Sequence, residues 1–445
     1  MNKFALSAMA IATITLIQPA FADEISDLKA EIAAQKAADA QRRADEAAQK
    51  ARLDALEQRL NAVQSSQPAA TSAPASTGKA ARPGLAYEGD GYGVRLYGLI
   101  DATIGQINHT GKDQHKTGFD ATPSNAPWFS GARWGLEGHR MFKDEGVDII
   151  FKLEDEYLLK DGSADDDTAA FGRDAWIGFQ NDTIGKLTFG RQNTVSRDFS
   201  GNYGDPYFNA SVGMDEGGWT NSNNFKQMIY YAGSATGTRY NSGIVWKKAF
   251  GSFVAGAGYQ FGETTGNVSS GSTGSIAAAY NGGPFNISGF FTAANVNGFS
   301  HKSYSIGGNY TAGIVRLNTG YFHYIGDQGA LGRRTDNAYT LSMKVQPAGK
   351  MDYELGVQQM RANNAALNGS GNVYNAYSDA SGGSGTISEG KRSTVYGSVF
   401  YHFDKSTEAY FVADYLKLAG GWTQSSVTHG LDNQAEYGVG LRFRF

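Results

Sequence analysis

Arg133 and Arg239 are the first residues whose setting points to chemistry. Arg133 alternates with Trp134 and Leu136, and Arg239 shares a face with Asn241, opposite Tyr240, Ile244 and Trp246. A strand sends alternate side chains to opposite faces, so each arginine is turned away from an apolar face. Arg191 resists that parity, because strict alternation from Leu187 and Phe189 groups it with the apolar residues. A bulge at Gly190 would turn it to the polar side. Arg95 and Lys152 are further bases on polar faces, and for these two a plain solvated position is the simpler reading. The longest connection, 193–236, supplies Arg197, Asp198, Asp205, Asp215 and Glu216. It also carries Phe199, Tyr203, Tyr207, Phe208, Trp219 and Phe225, which would pack it against a wall. Wall bases facing acids on an inserted loop select ions and small polar solutes by field and width.

Covalent chemistry has no comparable footing. The seven histidines (His109, His115, His139, His301, His323, His402, His429) are scattered, without an H-x-x-x-H pair. Neither a G-x-S-x-G elbow nor a phosphate-binding loop occurs. With 0 Cys there is no disulfide and no thiolate metal site. The run GAGYQFG at 256–262 fits a strand face better than a phosphate cradle. The acidic stretch KDGSADDDT at 160–168 offers carboxylates of the kind Ca²⁺ takes, but without the spacing of a dedicated loop. A solvated outer loop explains it more simply. Neither an enzyme nor a cofactor is expected.

The elements that would position these charges are strands. In the last twelve residues Tyr437, Val439, Leu441, Phe443 and Phe445 alternate with Glu436, Gly438, Gly440, Arg442 and Arg444. One reading is the edge strand of a soluble sandwich; the other is a barrel strand with its oily face toward lipid. The same period runs back to Val94 and gives sixteen candidate strands: 94–104, 131–140, 147–157, 171–180, 186–192, 237–247, 252–262, 275–281, 285–294, 303–310, 314–325, 337–346, 351–361, 391–402, 407–418 and 434–445. Phase breaks at Tyr396, Val399 and Tyr401. Short connections (141–146, 181–185, 248–251, 282–284, 311–313, 347–350, 404–406) alternate with long ones (among them 105–130, 193–236, 362–390, 419–433). Short periplasmic turns opposite long outer loops are the outer-membrane arrangement. Counting 226–231 (KQMIYY) as a strand would make the number odd, so it is assigned to the long connection. The fold class expected is all-β: a 16-stranded antiparallel transmembrane barrel over 92–445.

The start of the chain agrees with export. Residues 1–22 join Lys3, an apolar run and Ala20-Phe21-Ala22, the pattern of a signal peptide. Losing it removes one lysine and takes the formal charge from −4 to −5. That balance is too mild to imply a nucleic-acid partner. Residues 23–64 are Ala, Glu, Lys, Arg and Gln, without Gly or Pro. Ile25, Leu28 and Ile32, then Leu53, Leu56, Leu60 and Val63, share one heptad register. The register lands on Gln35, Asp39, Arg42, Glu46 and Gln49 between them, while Ala33, Ala37, Ala40, Ala44, Ala48, Ala51 and Ala55 form a second seam. A coiled-coil helix is expected, with a solitary charged helix as the alternative. Residues 65–91 hold Pro68, Pro74 and Pro83 among Ala, Ser and Thr, a flexible linker. Gly 58, Tyr 24 and Phe 25 against Pro 9 is an all-β composition rich in turns and interfacial aromatics. Mean hydropathy is −0.39, which an aqueous-lumen barrel tolerates because only half of each strand meets lipid.

From about residue 92 onward the chain resembles the general porins of Gram-negative bacteria, in particular the Neisseria and Burkholderia type. The stretches that carry the resemblance are VRLYGLIDATIG, ARWGLEGH, AWIGFQNDTIGKLTFGRQNT, TRYNSG and the terminal YGVGLRFRF. It implies a homotrimer of sixteen-stranded barrels in the outer membrane, among lipid and lipopolysaccharide, with the third loop folded into the pore. It implies that Arg133, Arg191 and Arg239 are the basic side of the constriction, with acidic partners on the loop among Asp205, Asp215 and Glu216. The helix at 23–64 departs from the simplest members; coiled coils occur in some trimeric porins, including ones similar to dicarboxylate-uptake channels. The function expected is passive diffusion of ions and small hydrophilic solutes with anion preference. The alternatives are a solute-specific channel, for carboxylates for instance, and an envelope anchor whose periplasmic helix touches peptidoglycan.

Overall fold

In the computed structural model the chain divides into two units, Met1–Ala80 and Ala81–Phe445. The structure describes residues 29, 31–37, 40–43, 50, 84–111, 114–120, 127–166, 169–207, 209–217, 220, 224, 231–366, 387–424 and 430–445. The described residues of the first unit are helical and exposed. The expected signal peptide, much of the expected coiled coil and the linker to residue 83 lie outside the described residues.

The second unit is one antiparallel sheet. Its strands are β1 (Leu85–Gly89), β2 (Tyr92–Gly111), β3 (Gln114–Phe119), β4 (Ala132–Phe142), β5 (Val147–Tyr157), β6 (Asp174–Asn181), β7 (Gly185–Asn193), β8 (Arg239–Phe250), β9 (Phe253–Gln260), β10 (Thr273–Gly282), β11 (Phe285–Val296), β12 (Phe299–Ala312), β13 (Val315–Asp327), β14 (Arg333–Val345), β15 (Met351–Ala366), β16 (Ile387–His402), β17 (Thr407–Gly420) and β18 (Asn433–Arg444). From β4 each strand pairs with the next, and β2 pairs with β4. β18 returns to β2, with Val439 opposite Ile104 and Phe443 opposite Ile100. This closes a barrel of sixteen strands, β2 and β4–β18, one for each strand the periodicity gives.

The two further strands both lie against β2. β3 pairs with its outer half inside the expected connection 105–130, and β4 takes over at Leu99. β1 pairs with its beginning, Leu85 opposite Leu96. Phe445 faces Gly98 through two backbone hydrogen bonds of 2.9 and 3.0 Å, so β1 continues the row that β18 ends. Part of the expected linker, 85–89, is therefore strand. Five residues are too few to show a period, but Leu85 and Tyr87 repeat the apolar face of their partners Leu96 and Val94. Of the stretch 226–231, Tyr231 is 3-10 helical and not strand, and the rest lies outside the described residues.

Exposure confirms the two faces. On β18, Tyr437, Val439 and Leu441 are about half exposed, whereas Arg442 is 0% and Glu436 4% exposed. Oily side chains outside and charged ones inside are what a lipid-facing wall around a polar lumen requires.

Candidate functional site: the loop-lined constriction

Between β7 and β8 the chain turns inward and begins with helix α1 (Val195–Gly204). Thr194 caps it, accepting a hydrogen bond from the Arg197 amide at 3.2 Å. The same hydroxyl donates to the Ala232 carbonyl at 2.5 Å, tying the start of the inserted segment to its return. Val195, Phe199 and Tyr203 recur along one helix face and are fully buried. The wall makes room for them with glycine. A Cβ on Gly256 would stand 2.7 Å from the Phe199 ring, and one on Gly307 or Gly320 would collide with Tyr203. The Tyr203 hydroxyl meets Ser305 Oγ at 2.5 Å.

Past the helix the segment crosses to the seam where the barrel closes. Tyr207 stacks on Phe129 with ring centroids 4.8 Å apart, and lies 5.2 Å from Phe400. The Arg442 guanidinium sits over the Tyr207 ring at 4.2 Å. Arg442 is fully buried, with Glu408 and Asp101 as its carboxylate partners. Trp128 and Phe129 come from the connection between β3 and β4, so two connections meet inside the barrel.

The segment then returns to the wall of β5–β8. Lys152 Nζ donates to Glu216 Oε2 at 2.5 Å and to Asp174 Oδ2 at 2.6 Å. Lys247 pairs with Asp198 and donates to the Asp215 carbonyl at 2.9 Å. A cavity of about 510 Å³ remains between this wall and the inserted segment. Among the described residues lining it, seven side chains are basic and five acidic. Arg173 bridges Glu154 and Glu156. Arg239 Nε is 3.4 Å from Asp174, and the nearest carboxylate of Arg133, on Glu154, is 3.9 Å away. The Tyr97 hydroxyl donates to Glu154 at 2.7 Å.

A family model for Gram-negative porins matches residues 67–421. The chain belongs to that family. It is 27% identical over 248 residues to an outer membrane porin protein of Bordetella pertussis, covering 51% of this chain and 63% of that protein, so it spans less than two thirds of that relative. In fold it is similar to an anion-selective porin from Comamonas acidovorans, with TM-score 0.56, 19% identity, 80% of this chain and 100% of that chain covered. It is similar also to the trimer form of OmpT from Vibrio cholerae, with TM-score 0.53, 16% identity and the same two shares. Family and barrel together place this chain among the β-barrel proteins of the outer membrane.

The porin brings together only part of the expected constellation. Arg133 and Arg239 line the cavity; Arg191 is not among its lining residues. The pairing with β8 breaks register between Gly190 and Gln192, at the place parity requires. Gly190 has φ +126°, and a Cβ there would strike the Ala175 carbonyl. Arg191 Nε then donates to the Gly172 carbonyl at 2.7 Å. Glu216 and Asp215 line the cavity. Asp205 does not: it is buried by the far wall, where Lys344 and Arg316 attract it. Burial and then Glu354 push its carboxyl well above the ordinary range, against those two bases. Lys152 and Arg95 depart from the solvated reading, since Lys152 clamps the loop and Arg95 donates to Glu137 at 2.6 Å.

Sequence reasoning assigned no constriction role to Arg173, Glu154, Asp174 or Arg197, nor to Glu156, which supports Arg173. Glu154 and Glu156 share the inward parity of Lys152 and were legible in that sense. Arg197 had a signal too, because Thr194 followed by Val195, Phe199 and Tyr203 is a capped helix face. Arg173 lies in the turn before β6, where no period applies.

Proposed function

We propose that this porin is a homotrimeric channel for passive diffusion of ions and small hydrophilic solutes, with preference for anions. The observation that carries the preference is the fate of the loop acids. Glu216 and Asp198 are neutralised by wall lysines, Lys152 and Lys247, and the lining left around the cavity has a basic surplus. The formal charge of the whole chain, −4, acts the other way, but charges beyond a Debye length of about 8 Å are screened. The trimer draws support from the OmpT trimer form of the same fold. It draws support also from Ile32, 49% exposed on a lone helix that a coiled coil would cover. Zero-current potentials across planar bilayers under a KCl gradient test the preference: an anion-preferring sign is expected, and cation preference rejects it.

A solute-specific channel is the second reading, favoured by a cavity of about 510 Å³ whose lining mixes bases and acids. It expects conductance to saturate with the preferred solute. The expected periplasmic helix, with a contact to peptidoglycan, joins the proposal as a separate element; loss of envelope attachment on deleting 23–64 is its test.

A further inference from the structure

Most bases around the cavity have a carboxylate at hand. Lys152 lies 2.6 Å from Asp174, Arg173 2.5 Å from Glu154, and Arg239 3.4 Å from Asp174. Arg197 differs. Its residue is 6% exposed and lines the same cavity. Its NH1 donates to the neutral Asn193 Oδ1 at 3.2 Å, and its Nε has no hydrogen-bond partner. Among the described residues no carboxylate stands within ion-pairing distance of it. Burial, then Arg239 and Arg173, disfavour its charged form, against the attraction of Asp198 and Asp174 from beyond ion-pairing distance. A buried guanidinium without a carboxylate in direct contact is costly, and an arriving anion relieves that cost.

A second donor stands on the same helix. Asn202 is 3% exposed and also lines the cavity. Its Oδ1 accepts from the Ser288 hydroxyl at 2.7 Å, while its Nδ2 has no partner. Both residues ride on α1, which Val195, Phe199 and Tyr203 lock to the wall, so they are held in place before any solute arrives.

We propose that Arg197, helped by Asn202, is an oxyanion-binding station on the inserted segment, where the carboxylate or phosphate oxygens of a small solute pause in transit. The guanidinium fork suits paired oxygens and gives chloride no equivalent second contact. The inference rests on the anion-preferring reading and sharpens it from a field to a site.

The test uses the full-length porin in planar bilayers, with conductance measured against concentration in KCl, potassium acetate and potassium phosphate. At least one oxyanion should saturate where chloride stays closer to linear, and which one does so identifies the solute class. In Arg197→Gln the half-saturating concentration should rise roughly tenfold, as for loss of a charge-assisted hydrogen bond. Arg197→Lys keeps the charge without the fork and should weaken saturation in the same direction; it serves if Arg197→Gln fails to assemble. Linear conductance in both oxyanions, or half-saturation unchanged in the variants, overturns the station. Absence of chloride preference in the unaltered porin counts against the anion-preferring channel instead, so the two failures are separable.

Discussion

Lys152 has a larger part in the constriction than its place on a polar strand face suggests. It joins a wall acid, Asp174, to a loop acid, Glu216, through one ammonium group. Replacing it leaves Glu216 without its cation and Asp174 with Arg239 alone, which raises the negative field in the cavity and loosens the loop. Lys152→Gln is therefore expected to move the zero-current potential away from anion preference and to add flicker to single-channel records. The three arginines are not equivalent either. Arg133 and Arg239 line the cavity, whereas Arg191 does not. Arg133→Gln is expected to cut anion preference more than Arg191→Gln, and equal effects in bilayer recordings would contradict this ranking.

At the scale of elements, the inserted segment is held at both ends of its path. Phe129 is 1% exposed and packs on Tyr207, Phe400 and Tyr410. Phe129→Ala removes that ring and costs about 3–5 kcal/mol of local packing, which a lower urea midpoint of the refolded barrel would register. Asp205 makes the docking depend on pH. Its carboxyl is raised in the folded loop, so the docked state holds a proton that the freed loop gives up. Docking is thus strongest at low pH and weakens as pH rises above the ordinary carboxylate range of about 4. Loop flicker is expected to grow with pH in the unaltered porin and to lose that dependence in Asp205→Asn.

For the whole molecule, the determining feature is a sheet with no free edge around the lumen. β18 meets β2, and no strand of the described first unit takes part in the closure. Removing 23–64 should leave heat-modifiable gel mobility, the mark of a formed barrel, intact. On the proposed trimer held by the proposed coiled coil, unheated oligomer bands of the shortened chain should dissociate at a lower temperature.

The sequence by itself determined the barrel, because side-chain alternation is local: each strand records which of its faces meets lipid and which meets solution. Sixteen runs, their connections and the inward parity of Arg133, Arg239 and Lys152 all follow from that record. Its phase breaks at Tyr396 and Tyr401 also had a meaning, though not a legible one. Tyr396 and Phe400 face inward and are buried, with Phe400 packed beside Phe129 and Tyr207, while Tyr401 faces out. Only the tertiary structure decided which base meets which acid. The segment 193–236 has no sustained strand period beyond its first residue apart from the short run 226–231, and its course is set by contacts with distant strands: Tyr203 against glycines on β12 and β13, Tyr207 at the closing seam, Glu216 at Lys152. Asp205 and Glu216 look alike in the chain, and they part company because these contacts send one to the far wall and the other to the cavity.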